Sequence, residues 1–295
     1  MQTKKPRIAF CFSWQARTLD QTYLFYKWNV FDAAKEQWFE YDIFCAVEDD
    51  EDKDKIKILN PVKIELIKSS DVEIDIKNVH QDYINKHLNN DFSFCRSRFW
   101  IERSLQQFYK IERSIKIKEE YQTEHKITYD IVCRLRFDTI FISKINFNKI
   151  FKNVRNSVIW IDCYDWYSRK YWKIQDFFLF WNENDMNKLW NLYSSFSIAL
   201  KWWEIKCKIL YKIVNFFIEL NLSLNKFLWH RIFPVVPLEQ INSLYSTVFT
   251  TESIFYYFII NQWIKVKKEK FSFIILRKNQ KDSLIRISDK WLFEL

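Results

Sequence analysis

The sequence predicts an α/β fold, a mixed and mainly parallel sheet flanked by helices, built as one large domain of 295 residues. Three observations carry that reading. Short apolar runs rich in β-branched and aromatic residues alternate along the chain with segments of helical periodicity. The clearest helical segment, residues 99–121, places Ile101, Leu105, Phe108, Ile111 and Ile115 three and four positions apart on one face. After about residue 150 the alternation becomes irregular, which argues for a mixed sheet.

The elements follow in order. Residues 7–13 are a buried strand, and residues 20–37 carry Tyr23, Tyr26, Val30, Ala33 and Ala34 at helical spacing. Residues 39–47 form a second strand that ends in an acidic run. Residues 62–67 alternate strictly and predict a half-exposed strand. Residues 71–98 are polar and irregular. The long helix leads to a strand over 129–142, then strands at 158–162 and 174–180, with a helix over 185–196. Helices are expected over 204–230 and 252–262, and one or two strands over 264–276.

Composition narrows the function classes. The chain has no glycine, where a usual frequency of about 7% would give roughly 20; it has only 4 prolines and as many as 14 tryptophans. A glycine-rich phosphate loop, a dinucleotide-binding glycine fingerprint and a Gly/Ser linker are therefore absent as written. Apolar residues make up 48% and aromatics 19%, too much for a disordered chain. The formal charge of +9 favours anionic partners, an anionic membrane face among them, although a lysine-rich surface without a specific partner has the same composition. Cys11, Cys45, Cys95, Cys133, Cys163 and Cys207 form no CxxC pair and read as buried free thiols of a reducing compartment. His80, His87, His125 and His230 lack metal-ligand spacing, and His80 and His87 read as a solvent-facing pair. The first residues do not form a signal peptide. No uncharged apolar run of membrane-spanning length occurs; residues 209–229 come closest and read as a buried helix.

The tryptophans fall where glycines belong. Trp38 and Trp263 each close a helical pattern directly before a strand, the position where a left-handed backbone favours glycine or asparagine. Trp181 follows a strand and precedes Asn-Glu-Asn-Asp, a turn position, and Trp14 lies in the tight loop after the first strand. Trp202 and Trp203 are adjacent in a polar stretch. Most or all of these tryptophans are therefore expected to be glycine in the natural protein, as happens where UGA is read as glycine. The abundance of Lys, Ile, Asn, Phe and Tyr fits the AT-rich coding in which that codon is common. UGG codons at the 14 positions would sink this expectation. As written, the chain should be strained at Trp38, Trp181 and Trp263.

With glycine at position 14, residues 9–17 read Ala-Phe-Cys-Phe-Ser-(Gly)-Gln-Ala-Arg. This segment resembles the FSGQxR strand and loop of bacterial glycosyltransferase-like proteins of polysaccharide and lipopolysaccharide synthesis. Residues 129–138, containing Arg134-Leu-Arg-Phe-Asp138, residues 175–181 with the helix after them, and residues 252–266 look like further segments of the same group. Together they run from residue 7 to about 276. The resemblance implies a GT-A-like, Rossmann-type fold, with residues 7–142 as the nucleotide-sugar-binding half and residues 143–295 as the acceptor half. It also implies a cytoplasmic enzyme, able to sit peripherally on the inner membrane face, that transfers a sugar from a nucleotide-sugar donor to a glycan or lipid-linked acceptor. The sequence departs from the group in its missing glycines and in having no strict Asp-x-Asp.

The residue types suit that chemistry. A departing diphosphate is best held by arginines, and Arg17, Arg134 and Arg136 are the candidates. Arg134 and Arg136 are two apart on a strand, so they project on one face together with Asp138. Asp138, at a strand end, could bind Mg²⁺ or Mn²⁺ beside the diphosphate, or form an ion pair with one of the arginines. Ser13 and Gln15 could hydrogen-bond the nucleotide or simply satisfy a turn. Asp176 is the candidate general base for the acceptor hydroxyl. Glu252 could serve instead, but equally fits the first turn of a helix. Asp162 and Asp165 are weaker candidates, and the acidic run 48–54 reads as a solvated loop. Two other classes share parts of the pattern: a nucleic-acid-binding protein, suggested by the charge and the aromatics, and a non-catalytic scaffold of the same fold. The apolar setting of most aromatics speaks against nucleic acid.

Overall fold

The sheet is built outward from β1 (Arg7–Trp14). In a computed structural model of the chain, residues 5–88, 97–154, 158–161, 178–184, 186, 193–196, 266–269 and 273–275 are described. β1 pairs in parallel with β2 (Glu40–Glu48) on one side and with β4 (Ile131–Leu135) on the other, and β3 (Lys63–Ile67) continues in parallel beyond β2. Past β4 the sheet becomes mixed. β7 (Phe178–Trp181) runs antiparallel to β4, β6 (Val158–Ile161) runs antiparallel to β7, and β8 (Val266–Glu269) runs parallel to β6. The order is β3-β2-β1-β4-β7-β6-β8. A separate antiparallel pair joins β5 (Thr139–Phe141) to β9 (Phe273–Ile275). The α/β class and the mixed, mainly parallel sheet expected from the sequence are therefore present. Among the described residues no helix is long and apolar enough to cross a membrane.

β1 is continuously apolar because it is covered on both faces. Ile8, Phe10 and Phe12 pack with Leu19, Tyr26, Phe147 and Ile150 on one side of the sheet. Ala9 and Cys11 pack with Ile76, Leu105, Phe108, Ile111 and Ile115 on the other. The first side is closed by α1 (Leu19–Tyr26), by a π-helical segment (Lys27–Phe31) that leads without a break into α2 (Asp32–Glu36), and by α5 (Phe147–Val154). The second is closed by α3 (Ser69–Leu88) and α4 (Ser97–His125). α4 descends against the strand direction. Its Lys110 meets Glu48 at the end of β2, Arg113 meets Glu65 within β3, and Glu120 meets Lys63 at the start of β3. Cys11, Cys45 and Cys133 are free and buried, as the sequence suggested, and burial pushes the Cys11 thiol up to about 12.

Three expectations need correction. Residues 69–88, which take in most of the stretch 71–98 read as irregular, are the helix α3. Its buried stripe is Val72, Ile76, His80 and Ile84, each one turn from the next, so His80 is a core residue rather than half of a solvent-facing pair. Its ring sits edge-on to Tyr193 and Phe196 at 4.8 and 6.0 Å. The run 129–142 is not one strand: β4 ends at Leu135, the chain turns, and β5 begins at Thr139. Trp181 is not in a turn. It is the last residue of β7, fully buried and without positive φ.

Trp38 does sit where its neighbours predicted. The Phe39 amide donates to Ala34 O and the Trp38 amide to Lys35 O, both at 3.0 Å. These are the two bonds of a Schellman helix stop, with Trp38 at its left-handed residue, φ 71°. Trp14, at the end of β1, has φ 126°. Asn60 and Lys126 are the other described residues with positive φ. Trp202, Trp203 and Trp263 lie outside the described residues, as do the helices expected over 204–230 and 252–262.

Candidate functional site

Strands β2 and β3 lie on one side of β1 and β4 on the other, so the strand order reverses between β1 and β4. In open α/β sheets the crevice beyond the carboxyl ends of the strands at such a reversal is where ligands bind. The crevice here is framed by Trp14, Gln15 and Arg17 after β1, by Glu48 at the end of β2, by Arg136 and Asp138 after β4, and by Lys110 of α4.

The broken strand changes how the two arginines act. Ile131, Cys133 and Leu135 pack on the α1 side and Val132 on the α4 side, so strand alternation puts Arg134 on the α4 face, where it is fully buried. Arg136 lies past the end of β4, so strand alternation no longer sets its direction. Its Nε and Nη2 donate to the two oxygens of Asp138 at 2.9 and 2.7 Å, a bidentate pair. Asp138 is nearly buried at 2% exposure. With both oxygens engaged, it makes the ion pair that was one of its two sequence readings. Among the described residues no group of three or more His, Cys, Asp or Glu is placed to hold a metal ion. Asp138, with both oxygens on Arg136, is a poor fit to Mg²⁺ or Mn²⁺.

The turn that carries Arg136 is pinned from below. Tyr26 donates its hydroxyl to the Arg136 carbonyl, and Thr22 donates to the Phe137 carbonyl at 2.7 Å. Asn29 donates to Phe141 O at 2.5 Å and Gln37 to Ile145 O at 2.7 Å. One continuous helical face thus supplies the donors that fix residues 136–145, which position the guanidinium.

The sequence does not mark Lys110, and it marks Glu48 only as part of the solvated acidic run 48–54, whereas Glu48 ends β2. Lys110 is 5% exposed, and its Nζ donates to Glu48 Oε2 at 2.7 Å. Ser69 donates to the other Glu48 oxygen. Burial alone would raise the Glu48 carboxyl, but the hydrogen bonds from Lys110, Ser69 and Gln15 outweigh it and hold the group below its ordinary range. A signal was present in α4. Ser104, Gln107, Lys110, Ser114 and Lys118 step by three and four beside the apolar stripe, and all five are buried.

The indole of Trp14 stands in the middle of the frame. Lys110 Nζ lies 5.4 Å from its ring centroid and the Arg136 guanidinium carbon 5.0 Å, both within cation–π range. Next to it, Ser13 is fully buried and its Oγ has no hydrogen-bond partner among the described residues. Arg17 is half-buried, and its carbonyl accepts from Lys55 at 2.9 Å. The structure therefore places Ser13, Gln15 and Arg17 at the carboxyl end of β1, beside the turn that holds Arg136 and Asp138, and buries Arg134 within β4. Asp176 and Glu252 lie outside the described residues, as do Asp162 and Asp165. The acidic run is a loop and a 3₁₀ helix (Lys53–Leu59) in which Asp49, Asp52 and Asp54 pair with Lys53, Lys55 and Lys57. An open groove at the opposite, amino-terminal ends of β1 and β2 is lined by Lys5, Arg7, Lys35, Trp38 and Tyr41. Its arginine is already engaged by Glu40 and Asp42 at 3.6 and 3.3 Å.

Compared with known proteins, the chain matches no family model and no curated sequence.

Proposed function

We propose that the chain is a glycosyltransferase that moves a sugar from a nucleotide-sugar donor to a surface polysaccharide or lipopolysaccharide acceptor. The observation that carries this reading is the meeting of two sequence segments at the reversal between β1 and β4. The Ser13–Arg17 segment and the Arg136–Asp138 segment, far apart in sequence, frame one crevice beyond the strand ends, and the Arg136 guanidinium stands 5.0 Å from the Trp14 ring. Cations fixed at such a crevice suit a diphosphate, which gains charge as the glycosyl bond breaks. Arg136 is held by Asp138 and by the pinned turn, so it needs little reorganisation to meet that charge. Arg17 adds a second cation from the opposite wall, and Ser13 and Gln15 supply hydrogen-bonding groups. In this reading Asp176 takes the proton of the acceptor hydroxyl, with Glu252 as the other carboxylate for that role. A GT-A-like arrangement of the whole chain, the division into donor and acceptor halves, and placement in the cytoplasm beside an anionic inner membrane face all belong to the same proposal.

The test is a donor screen with a panel of nucleotide sugars, run on protein carrying glycine at the 14 tryptophan positions. Release of a nucleoside diphosphate from one donor class is expected. Asp138→Asn in that background loosens Arg136 and should lower turnover by about tenfold or more, the loss of roughly one charge-assisted hydrogen bond. Absence of binding and turnover across the panel would remove the reading.

A further inference from the structure

We propose that position 14 is built for glycine, and that the Trp14 indole fills a pocket for a phosphate or diphosphate group clamped between Lys110 and Arg136. This rests on the reading of the crevice given above and adds to it a ligand-bearing residue, Lys110, and the reason the crevice is closed in the chain as written.

Three observations converge. The first is backbone: φ at Trp14 is 126°, in the region that glycine enters freely and a bulky side chain does not. The second is electrostatic. Two cations held on separate elements, one on α4 and one on the turn after β4, both lie within 5.4 Å of the centre of a single ring. A neutral indole is a weak partner for two cations, each such contact contributing about 0.5–2 kcal/mol. A phosphate in the same space would meet both as charge-assisted hydrogen bonds. The third is the buried hydroxyl of Ser13, the residue before Trp14 in β1, which lacks a hydrogen-bond partner among the described residues.

Each cation already has a carboxylate, Glu48 for Lys110 and Asp138 for Arg136. These pairs hold the two cations in place beside the ring. The end of a strand that turns at a glycine also presents backbone amides to a ligand, which a side chain at that residue would block.

The experiment titrates inorganic pyrophosphate into the full chain by calorimetry. The Trp14→Gly variant is expected to bind it about tenfold or more tightly than the parent chain, as two charge-assisted contacts replace two to a neutral ring. Adding Lys110→Ala to Trp14→Gly should return affinity to the starting level. Trp38→Gly relieves the same kind of backbone strain at the opposite, amino-terminal ends of β1 and β2 and should leave affinity unchanged. Equal affinity of the parent and the Trp14→Gly variant, a gain reproduced by Trp38→Gly, or a gain that survives Lys110→Ala would each overturn the proposal. Should Trp14→Gly fail to fold, Trp14→Ala removes the ring and keeps a Cβ; the same gain is expected, and its absence overturns the proposal. The two readings fail separately. Pyrophosphate binding without turnover of any nucleotide sugar keeps the pocket and removes the transferase. A nucleoside diphosphate bound equally well by the parent and the Trp14→Gly variant, through Arg136 and Arg17, removes the plug and keeps the transferase.

Discussion

Trp38 isolates the cost of a side chain in a place made for none. It is 72% exposed, so its ring gains little from packing, and its one ring contact is Lys5 Nζ at 5.0 Å. A left-handed backbone costs an ordinary residue about 1–2 kcal/mol, while an exposed cation–π contact returns about 0.5–1 kcal/mol. Glycine also loses more chain entropy on folding. Trp38→Gly is therefore expected to stabilise the protein, by less than about 1 kcal/mol, read as a higher urea midpoint at unchanged slope. Trp38→Ala keeps the Cβ and the left-handed penalty, so no stabilisation is expected from it. The residue was legible because two patterns coincide at it: a helical period stops, and a strand starts directly afterwards. Trp181 shows the limit of that logic. An aromatic run followed by Asn-Glu-Asn also describes a strand that simply ends, and β7 is a strand buried through its final residue. Lys126 marks a second limit, since it holds φ 53° after α4 with no unusual residue to advertise it.

At the scale of elements, the helix pair α1–α2 acts as a bracket for the turn after β4. Tyr26→Phe removes the donor to the Arg136 carbonyl and so breaks a partly buried hydrogen bond. A loss of about 1–2 kcal/mol in urea unfolding is expected. The same substitution in the Trp14→Gly background should also weaken pyrophosphate binding, because Arg136 is then held less firmly. Most elements could be read from periodicity alone, but two failures have physical causes. α3 hid because only every fourth residue is buried and one of those is a histidine, so hydropathy sees a polar segment where geometry sees a stripe. The β4–β5 break hid because residues 131–141 are apolar on both sides of the turn, and an apolar run carries no mark of where it bends. For the same reason the sequence ran one strand through Arg136 and Asp138, where the chain turns. Strand order was not legible at all, since pairing partners are chosen by contacts far apart in the chain.

On the scale of the whole molecule, α4 carries buried charge across the centre of the sheet, and this gives stability a pH dependence. Lys118 is fully buried, with Gln122 Oε1 at 3.2 Å and carboxylate oxygens of Glu119 and Glu183 at 3.8 and 3.9 Å. Burial, opposed by Lys118 and reinforced by Glu183, pushes the Glu119 carboxyl from 4.5 up to about 7. Between those values the folded protein keeps a proton that the unfolded chain has released, so this group's contribution falls as pH rises through the window and is constant on either side. Glu119→Gln cannot titrate. The stability of the Gln variant relative to the parent should rise from pH 4.5 to about pH 7 and level off above, measured by urea unfolding across the range. A flat difference would show that Glu119 keeps its ordinary acidity.

The crevice is closed over a long stretch of chain. The amide of Arg7, at the start of β1, donates to Asp130, just before β4, across 123 residues at 2.8 Å. Until that contact forms, Ser13 and Arg17 are on one piece of polypeptide and Arg136 on another, with two strands and the helices α3 and α4 still to be arranged between them. During synthesis the first strands and α1–α2 can collapse early, yet the ligand has nothing to grip until β4 docks beside β1. Anion binding by this protein would therefore report the completion of a highly non-local pairing, and a ligand present during refolding would trap the docked strands rather than hasten the first steps of folding.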